Sequence, residues 1–432
     1  MKWPVLVGLW LRALPLLRWP NAPCLRDECT YSLLASRLLD GEGMTVPSEV
    51  RRWIWAPGYP ALLSAHGWLG DIDWIRWTQL VLVIPIVLCG ASLARGIGGR
   101  LAGRVTAWCL ALSPTLVFFS GRLWSETVYI ALLLGALVAL RWAMSGPVWR
   151  NVLPGVLVAG CILLRGVAAP MLPLFALARF WRDRSLSAAA TLLLSGALTV
   201  APYSLYASKI FDGPVLSDRT MGQMMWLGNN TFEPVSFDHG VGPLSVEVWE
   251  RVLATGRPHC DGTLAPTAWD DCERAAGWAR VRSHPGEFLR RIPVRLSQLL
   301  NPNSFLTRAV RQGDWWGLPR WLLEGLCVTT VLWSGVAVFG GLIGVFSRGK
   351  NWFAALTVAI VGYHVLAIAL VAGLSRYRVP LDVLGLIWAG VWLGQLPGTM
   401  QALGPRRAWA LGLALLLALG LMARYALVGF LP

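Results

Sequence analysis

The stretch SPTLVFFSGRLWSETVYIALL, residues 113–133, decides how this chain is read. Two apolar runs meet at a short polar turn, and a carboxylate, Glu126, stands where the second run begins. The whole 432-residue chain is 56% hydrophobic and 14% charged, with 25 Trp. A soluble domain devotes about a quarter of its residues to charge. Working outward from residue 113, apolar runs near the ~17–25 residues that cross a bilayer recur in both directions. About eleven emerge: 3–17, 77–94, 105–120, 127–143, 152–164, 167–180, 186–203, 321–346, 353–374, 379–396 and 408–430. The fifth and sixth are short, flank Arg165, and read either as one tight hairpin or as one broken helix. The expected fold is therefore a single all-α polytopic membrane domain over 1–432, with about eleven transmembrane helices and two large outer loops containing short juxtamembrane helices.

Basic residues orient these spans. Arg95, Arg100 and Arg104 form one cluster; Arg141 and Arg150, Arg182 and Arg184, Arg348 and Lys350, and Arg406 and Arg407 form the others. All fall on alternate loops, which the positive-inside rule makes cytoplasmic. The net charge of +15 is then mainly a topology signal. Basic residues scattered over short loops make a poor nucleic-acid surface, so no nucleic-acid partner is expected. The N-terminus falls inside and the C-terminus outside. Run 3–17 contains Arg12 and no clean small-residue cleavage site, which favours a span over a signal peptide. No internal repeat or low-complexity tract is visible.

Loops 18–76 and 204–320 are long and fall on the outer face, where most polar chemistry is concentrated. Cys24 and Cys29, and Cys260 and Cys272, form two close pairs there, suited to local disulfides in an oxidising compartment. Metal binding is the rival for PHCDGTLAPTAWDDCE (258–273), but no CxxC or HxxxH spacing supports it. In LRDECTYSLLASRLLDGEG (25–43), Asp27 and Glu28 open an apolar-periodic helix. A helix cap and a catalytic carboxylate are equally served by Asp27 there. Glu126 is a second candidate, against a local pair with Arg122 four residues earlier. Arg165, Arg376 and Arg378 lie at the outer face, against the positive-inside bias. A phosphate is their natural partner, because guanidinium binds it in a bidentate fork. For Arg378 the bland alternative is an i, i+4 pair with Asp382.

Together these segments resemble the GT-C superfamily of membrane glycosyltransferases, in the branch of protein O-mannosyltransferases and bacterial lipid A aminoarabinose transferases. The resemblance rests on an ordered set: Asp27, Glu28 and Tyr31 with a short helix ending in Gly (27–43), WAPGYPALLS (55–64), SETVYIALLLGALVA (125–139), GVLVAGCILLRGVAAPMLP (155–173), WLGNN (226–230), HPGEFLRRIPVRLSQLLNP (284–302) and SRYRVPL (375–381). It implies an enzyme that moves a hexose or pentose from a polyprenyl-phosphate donor to an outer-face acceptor: a glycan, a lipid or a protein. It also implies inversion at the anomeric carbon, with Asp27 as general base. Glu28 and Glu126 would assist. Arg376, Arg378 and Arg165 would hold the donor phosphate, and Tyr59, Asn229 and Asn230 would contact sugar or acceptor. The expected place is a bacterial inner membrane, with the site facing the periplasm. Where this family usually carries Arg-Pro after the fifth span, the chain has Arg165-Gly166.

The chemistry accords with one base rather than two. A lipid phosphate leaves as a stable anion and needs cations, whereas glycosidases expelling an alkoxide need paired carboxyls. No cofactor is required by this scheme and no metal ligands are assigned; acidic residues leave room for a divalent ion. SHPGEFLRRIPVRLSQLL (283–300) reads as a surface helix begun at Pro285, with Phe288, Ile292, Leu296, Leu299 and Leu300 opposite Arg290, Arg291 and Arg295. The alternative is a transporter or flippase for the same lipids. Repeated halves and mid-membrane charges would mark one, and neither is evident in this sequence.

Overall fold

Backbone in hydrocarbon must satisfy its own hydrogen bonds, so apolar runs become helices. The computed structural model describes residues 1–18, 24, 27–44, 54–229, 260, 264–302, 306–307, 310, 318–348, 351–371, 375–395 and 405–430. Helix α1 (Lys2–Arg18) is followed by α2 (Asp27–Leu39) and α3 (Gly58–Trp68) of the first long loop. Next come α4 (Ile75–Val81), α5 (Val83–Leu112), α6 (Pro114–Ser120) and α7 (Glu126–Ala143). Three more helices, α8 (Val152–Leu164), α9 (Met171–Asp183) and α10 (Leu186–Ile210), lead to the second long loop with α11 (Met221–Asn229), α12 (Pro266–Ser283) and α13 (Pro285–Leu300). The remainder is α14 (Arg320–Gly335), α15 (Gly341–Arg348), α16 (Trp352–Leu370), α17 (Val379–Leu393) and α18 (Pro405–Phe430). Among the described residues, β pairing is confined to one bridge between Ile54 and Arg219.

Against the eleven expected spans, six helices among the described residues are long and apolar enough to cross a membrane. They are Ile72–Leu112, Glu126–Ala143, Leu186–Ile210, Arg320–Ser347, Trp352–Leu370 and Arg406–Ala423. The first is not one rod. Gly99 (φ 84°, ψ −171°) leaves the helical region, and a Cβ added at Gly103 would stand 2.9 Å from the Ala91 carbonyl oxygen. The two arms of α5 thus fold against each other, where the sequence expects runs 77–94 and 105–120. Length explains much of the remaining difference. α8 and α9 have 13 residues each, about 20 Å at ~1.5 Å per residue, against a hydrocarbon core of ~30 Å. They are separate helices divided by an extended Arg165 (φ −156°, ψ 113°) and a 3-10 turn, Gly166–Ala168.

The core forms where α17 packs on α5 and α15, around a stacked pair, Phe353 and the fully buried Trp388, with centroids 5.4 Å apart. Arg12, apolar-flanked in α1, is buried yet satisfied. Its guanidinium donates to the carbonyls of Ala111 (3.0 Å) and Leu110 (3.3 Å), at the C-terminal end of α5 where carbonyls lack helical partners. Both cysteine pairs of the long loops are disulfides, Cys24–Cys29 and Cys260–Cys272.

Helix α13 begins at Pro285 as the sequence predicts, but its basic face is not uniformly outward. Arg295 is buried, donating to Gly228 O (2.7 Å), Asn229 Oδ1 (2.6 Å) and Ala369 O (2.5 Å). These acceptors outweigh the solvent that a surface helix would offer the guanidinium. Leu289, in turn, is exposed.

Candidate active site

Four breaks in the helical run converge on one place: the start of α2, the start of α7, the gap between α8 and α9, and the 3-10 turn Ser375–Arg378 before α17. Each break frees a side chain from a helix face and aims it at the others. Asp27 and Glu126 are the first residues of α2 and α7, where the helix dipole favours a carboxylate. Arg165 follows the last residue of α8, and Arg376 sits in the turn.

Arg376 is the hub. Its Nε and Nη2 both donate to the Glu126 carboxylate, and its Nη1 donates to Asp27 Oδ2 at 2.5 Å. Its guanidinium also lies 4.6 Å from the centre of the Trp124 ring. Arg165 Nη1 donates to Glu126 Oε1 at 2.6 Å, and its guanidinium faces the Tyr377 ring at 5.8 Å. Burial works against the Arg376 cation, but Glu126 and Asp27 outweigh it and hold its pKa well above the ordinary value. Two acids and two arginines make the cluster formally neutral. Tyr31 closes one side, packed edge-on against Trp55 (5.2 Å) and Tyr59 (5.0 Å), and burial pushes its phenol pKa up.

The other sequence candidates are placed differently. Glu28 is buried; its Oε1 accepts from Leu123 N at 2.8 Å and its Oε2 lies 3.6 Å from Arg122 Nη1. Arg122 therefore pairs with Glu28, and Glu126 with two distant arginines, instead of the local Arg122–Glu126 pair weighed from the sequence. Tyr59 is fully buried and donates to Gln79 Oε1 at 3.1 Å, while Gln79 Nε2 donates to Arg122 O at 2.7 Å. Together these bonds brace the turn before α7. Arg378 points away from the cluster, donating to Asp382 (3.0 Å), Asn301 O (2.9 Å) and Ser334 Oγ (2.8 Å). Asn229 is buried on Arg295 and on the carbonyls of Met225 (2.9 Å) and Leu370 (3.1 Å). Asn230 lies outside the described residues.

Sequence reading missed Asp218. Its Oδ2 accepts from Gly166 N at 3.0 Å, and a Cβ on Gly166 would come within 2.2 Å of its Oδ1. Proline at 166 would lack that N–H and carry atoms where the carboxylate sits. The Arg-Gly departure from the family pattern was the signal. The neighbouring Arg219 donates from its backbone to Ile54 O (2.9 Å) and from its side chain to Asp270 (3.2 Å) and Asp271. Segment 217–219 thus ties the Arg165 turn to both long loops.

No protein-family model matches this chain, and no curated protein does. The chain is similar to solved structures of an archaeal oligosaccharyltransferase. The apo enzyme from Archaeoglobus fulgidus aligns at 13% identity with a TM-score of 0.47, covering 99% of this chain and 55% of that one. AglB from the same organism, in complex with an inhibitory peptide and a dolichol-phosphate, aligns at 12% identity and 0.46, with the same coverage. The chain therefore spans about half the length of the structures it matches.

Exposure separates the three carboxylates. The Asp27 side chain is 35% exposed, whereas those of Glu126 and Glu28 are 0% and 1%. Only Asp27 among the three reaches solvent appreciably. Glu126 instead fixes two guanidiniums, those of Arg165 and Arg376. Among the described residues, no three His, Cys, Asp or Glu gather as a metal site.

Proposed function

We propose that this chain is a GT-C-type glycosyltransferase that moves one monosaccharide from a polyprenyl-phosphate donor to an acceptor hydroxyl on the extracytoplasmic side. The observation that carries the reading is the half-exposed Asp27 carboxylate set 2.5 Å from Arg376, with Arg165 held beside it through Glu126. Asp27 removes the acceptor proton as the acceptor oxygen bonds to the anomeric carbon. The bond from that carbon to the phosphate oxygen breaks on the opposite face, which inverts the centre. The electron pair leaves on the lipid phosphate, whose charge Arg376 and Arg165 receive. Glu126 is a positioning residue for both arginines. In this reading Arg378, bonded to Ser334 and Asp382, anchors the Arg376 turn on α14 and α17. Glu28 and Tyr59 are assigned to bracing the turns before α7.

Asp27→Asn is the direct test, because Asn preserves shape and serves equally well at a helix start. Purified protein is given polyprenyl-phosphate sugars and extracted envelope acceptors. Turnover should fall on the order of 10²–10⁴-fold while donor lipid still binds. Normal turnover in that variant sinks the assignment. A lipid transporter would move donor between leaflets without cleaving it, so release of free polyprenyl phosphate separates the two activities.

A further inference from the structure

At the other end of α7 the arginines stand under different conditions. A cavity of about 460 Å³ opens between α5, α7, α15, α16 and α18, its lining including Ile97, Trp352 and Phe353 together with Arg141 and Arg407. Arg141 lies fifteen residues beyond Glu126, about 22 Å along the helix at ~1.5 Å per residue, so this is not the candidate active site. The Arg141 guanidinium is held over bare backbone. It donates to Ser92 O at 3.0 Å and lies where a Cβ on Gly96 would meet its Nη1 at 2.0 Å. Among the described residues, no Asp or Glu lines the cavity and neither Arg141 nor Arg407 has an ion-pair partner. The start of α16, its first turn capped by Asn351, also lines the cavity and adds the positive end of its dipole.

Two guanidiniums at one cavity with no acid between them repel until an anion enters. Their geometry suits phosphate oxygens, and the apolar wall suits hydrocarbon. The volume exceeds what a bare phosphate fills and lies within the ~300–1,000 Å³ of small-ligand sites. We propose that this cavity binds the phosphate of an anionic lipid, with the phosphate between Arg141 and Arg407 and the first methylenes against Trp352 and Phe353. The basic-loop pattern places this end in the cytoplasmic leaflet, where anionic headgroups are drawn to such residues.

Native mass spectrometry of the full chain in detergent tests it, with phosphatidylglycerol and phosphatidylcholine as separate probes. Wild type should retain phosphatidylglycerol in preference to phosphatidylcholine. An Arg141→Ala, Arg407→Ala double variant should lose about tenfold of that retention, and the Lys pair less. Equal retention of both lipids by wild type, or of phosphatidylglycerol by wild type and double variant, overturns the proposal. Should the double variant not fold, Arg407→Ala alone removes a side chain with no protein partner among the described residues; unchanged retention in it overturns the proposal equally. Millimolar inorganic phosphate is the third probe. Phosphatidylglycerol that survives it supports a lipid site, while its displacement assigns the arginines to free phosphate and overturns the lipid assignment.

Discussion

Helix α7 carries an acid at its first residue and an arginine in its last turn, and the two ends handle positive charge in opposite ways. At the Glu126 end, both arginines are bonded to carboxylates and nearly withdrawn from solvent. At the Arg141 end, two arginines share a cavity that no acid lines among the described residues. A neutral cluster stores charge in fixed geometry, available to a substrate that outcompetes or joins the carboxylates. An unneutralised pair draws its counter-charge from outside the protein. The first arrangement suits catalysis, in which charge develops during reaction. The second suits simple retention of an anion.

Removing one acid from the neutral cluster should leave it, like the other end, with uncompensated positive charge, at high cost. Glu126→Gln leaves Arg165 and Arg376 without their shared partner, and breaking a buried pair this way costs about 3–5 kcal/mol. Its melting temperature in detergent should fall sharply, while Arg141→Gln at the other end should stay within about 0.5 kcal/mol of wild type. Similar losses in both would dissolve the contrast.

The turn that presents Arg165 sharpens it. Gly166→Pro deletes the N–H that donates to Asp218 and fills the space its carboxylate occupies. A hydrogen bond to a charged group contributes about 1.5–3 kcal/mol, so donor turnover should fall with little change at the Arg141 cavity. A fully active Gly166→Pro protein would remove Asp218 from the positioning role.

Glu28→Gln separates bracing from chemistry within the same end. The amide keeps an acceptor for Leu123 N but weakens the Arg122 contact, for a stability loss of about 1–3 kcal/mol. Turnover per folded molecule should stay close to normal. A collapse in turnover with intact stability would move the base from Asp27 to Glu28.

The smallest effect concerns pH. Burial pushes the Asp218 pKa up, against the Gly166 N–H and Arg165, which lower it. A carboxyl whose folded pKa is raised contributes stability that is full at acid pH and lost as pH rises through the folded value. Asp218→Asn keeps an oxygen for Gly166 N and removes this dependence. The melting temperature of wild type minus that of the Asp218→Asn variant should therefore decline as pH rises above about 4, the ordinary carboxyl value. A difference that grows with pH would contradict the raised pKa.

Much of the local architecture was legible before the fold. The starts of α2 at Asp27, α7 at Glu126 and α13 at Pro285 follow from residue type and apolar period. Partner choice was not. The sequence offers Glu126 an arginine four residues away, yet its partners lie 39 and 250 positions distant, and Asp27 meets Arg376 across 349. Arg378 shows the converse: its i, i+4 neighbour Asp382 is its partner, since a helix guarantees that proximity. Composition and periodicity alone determined a helical chain rich in apolar runs, with its acids placed at helix ends, because those properties depend only on neighbours along the chain. Which arginine neutralises which acid, which carboxylate stays open to solvent and which arginines remain without an acid were decided only by tertiary packing. Electrostatic and steric partners are set by distance in space, and no local pattern encodes a contact between breaks in four separate helices.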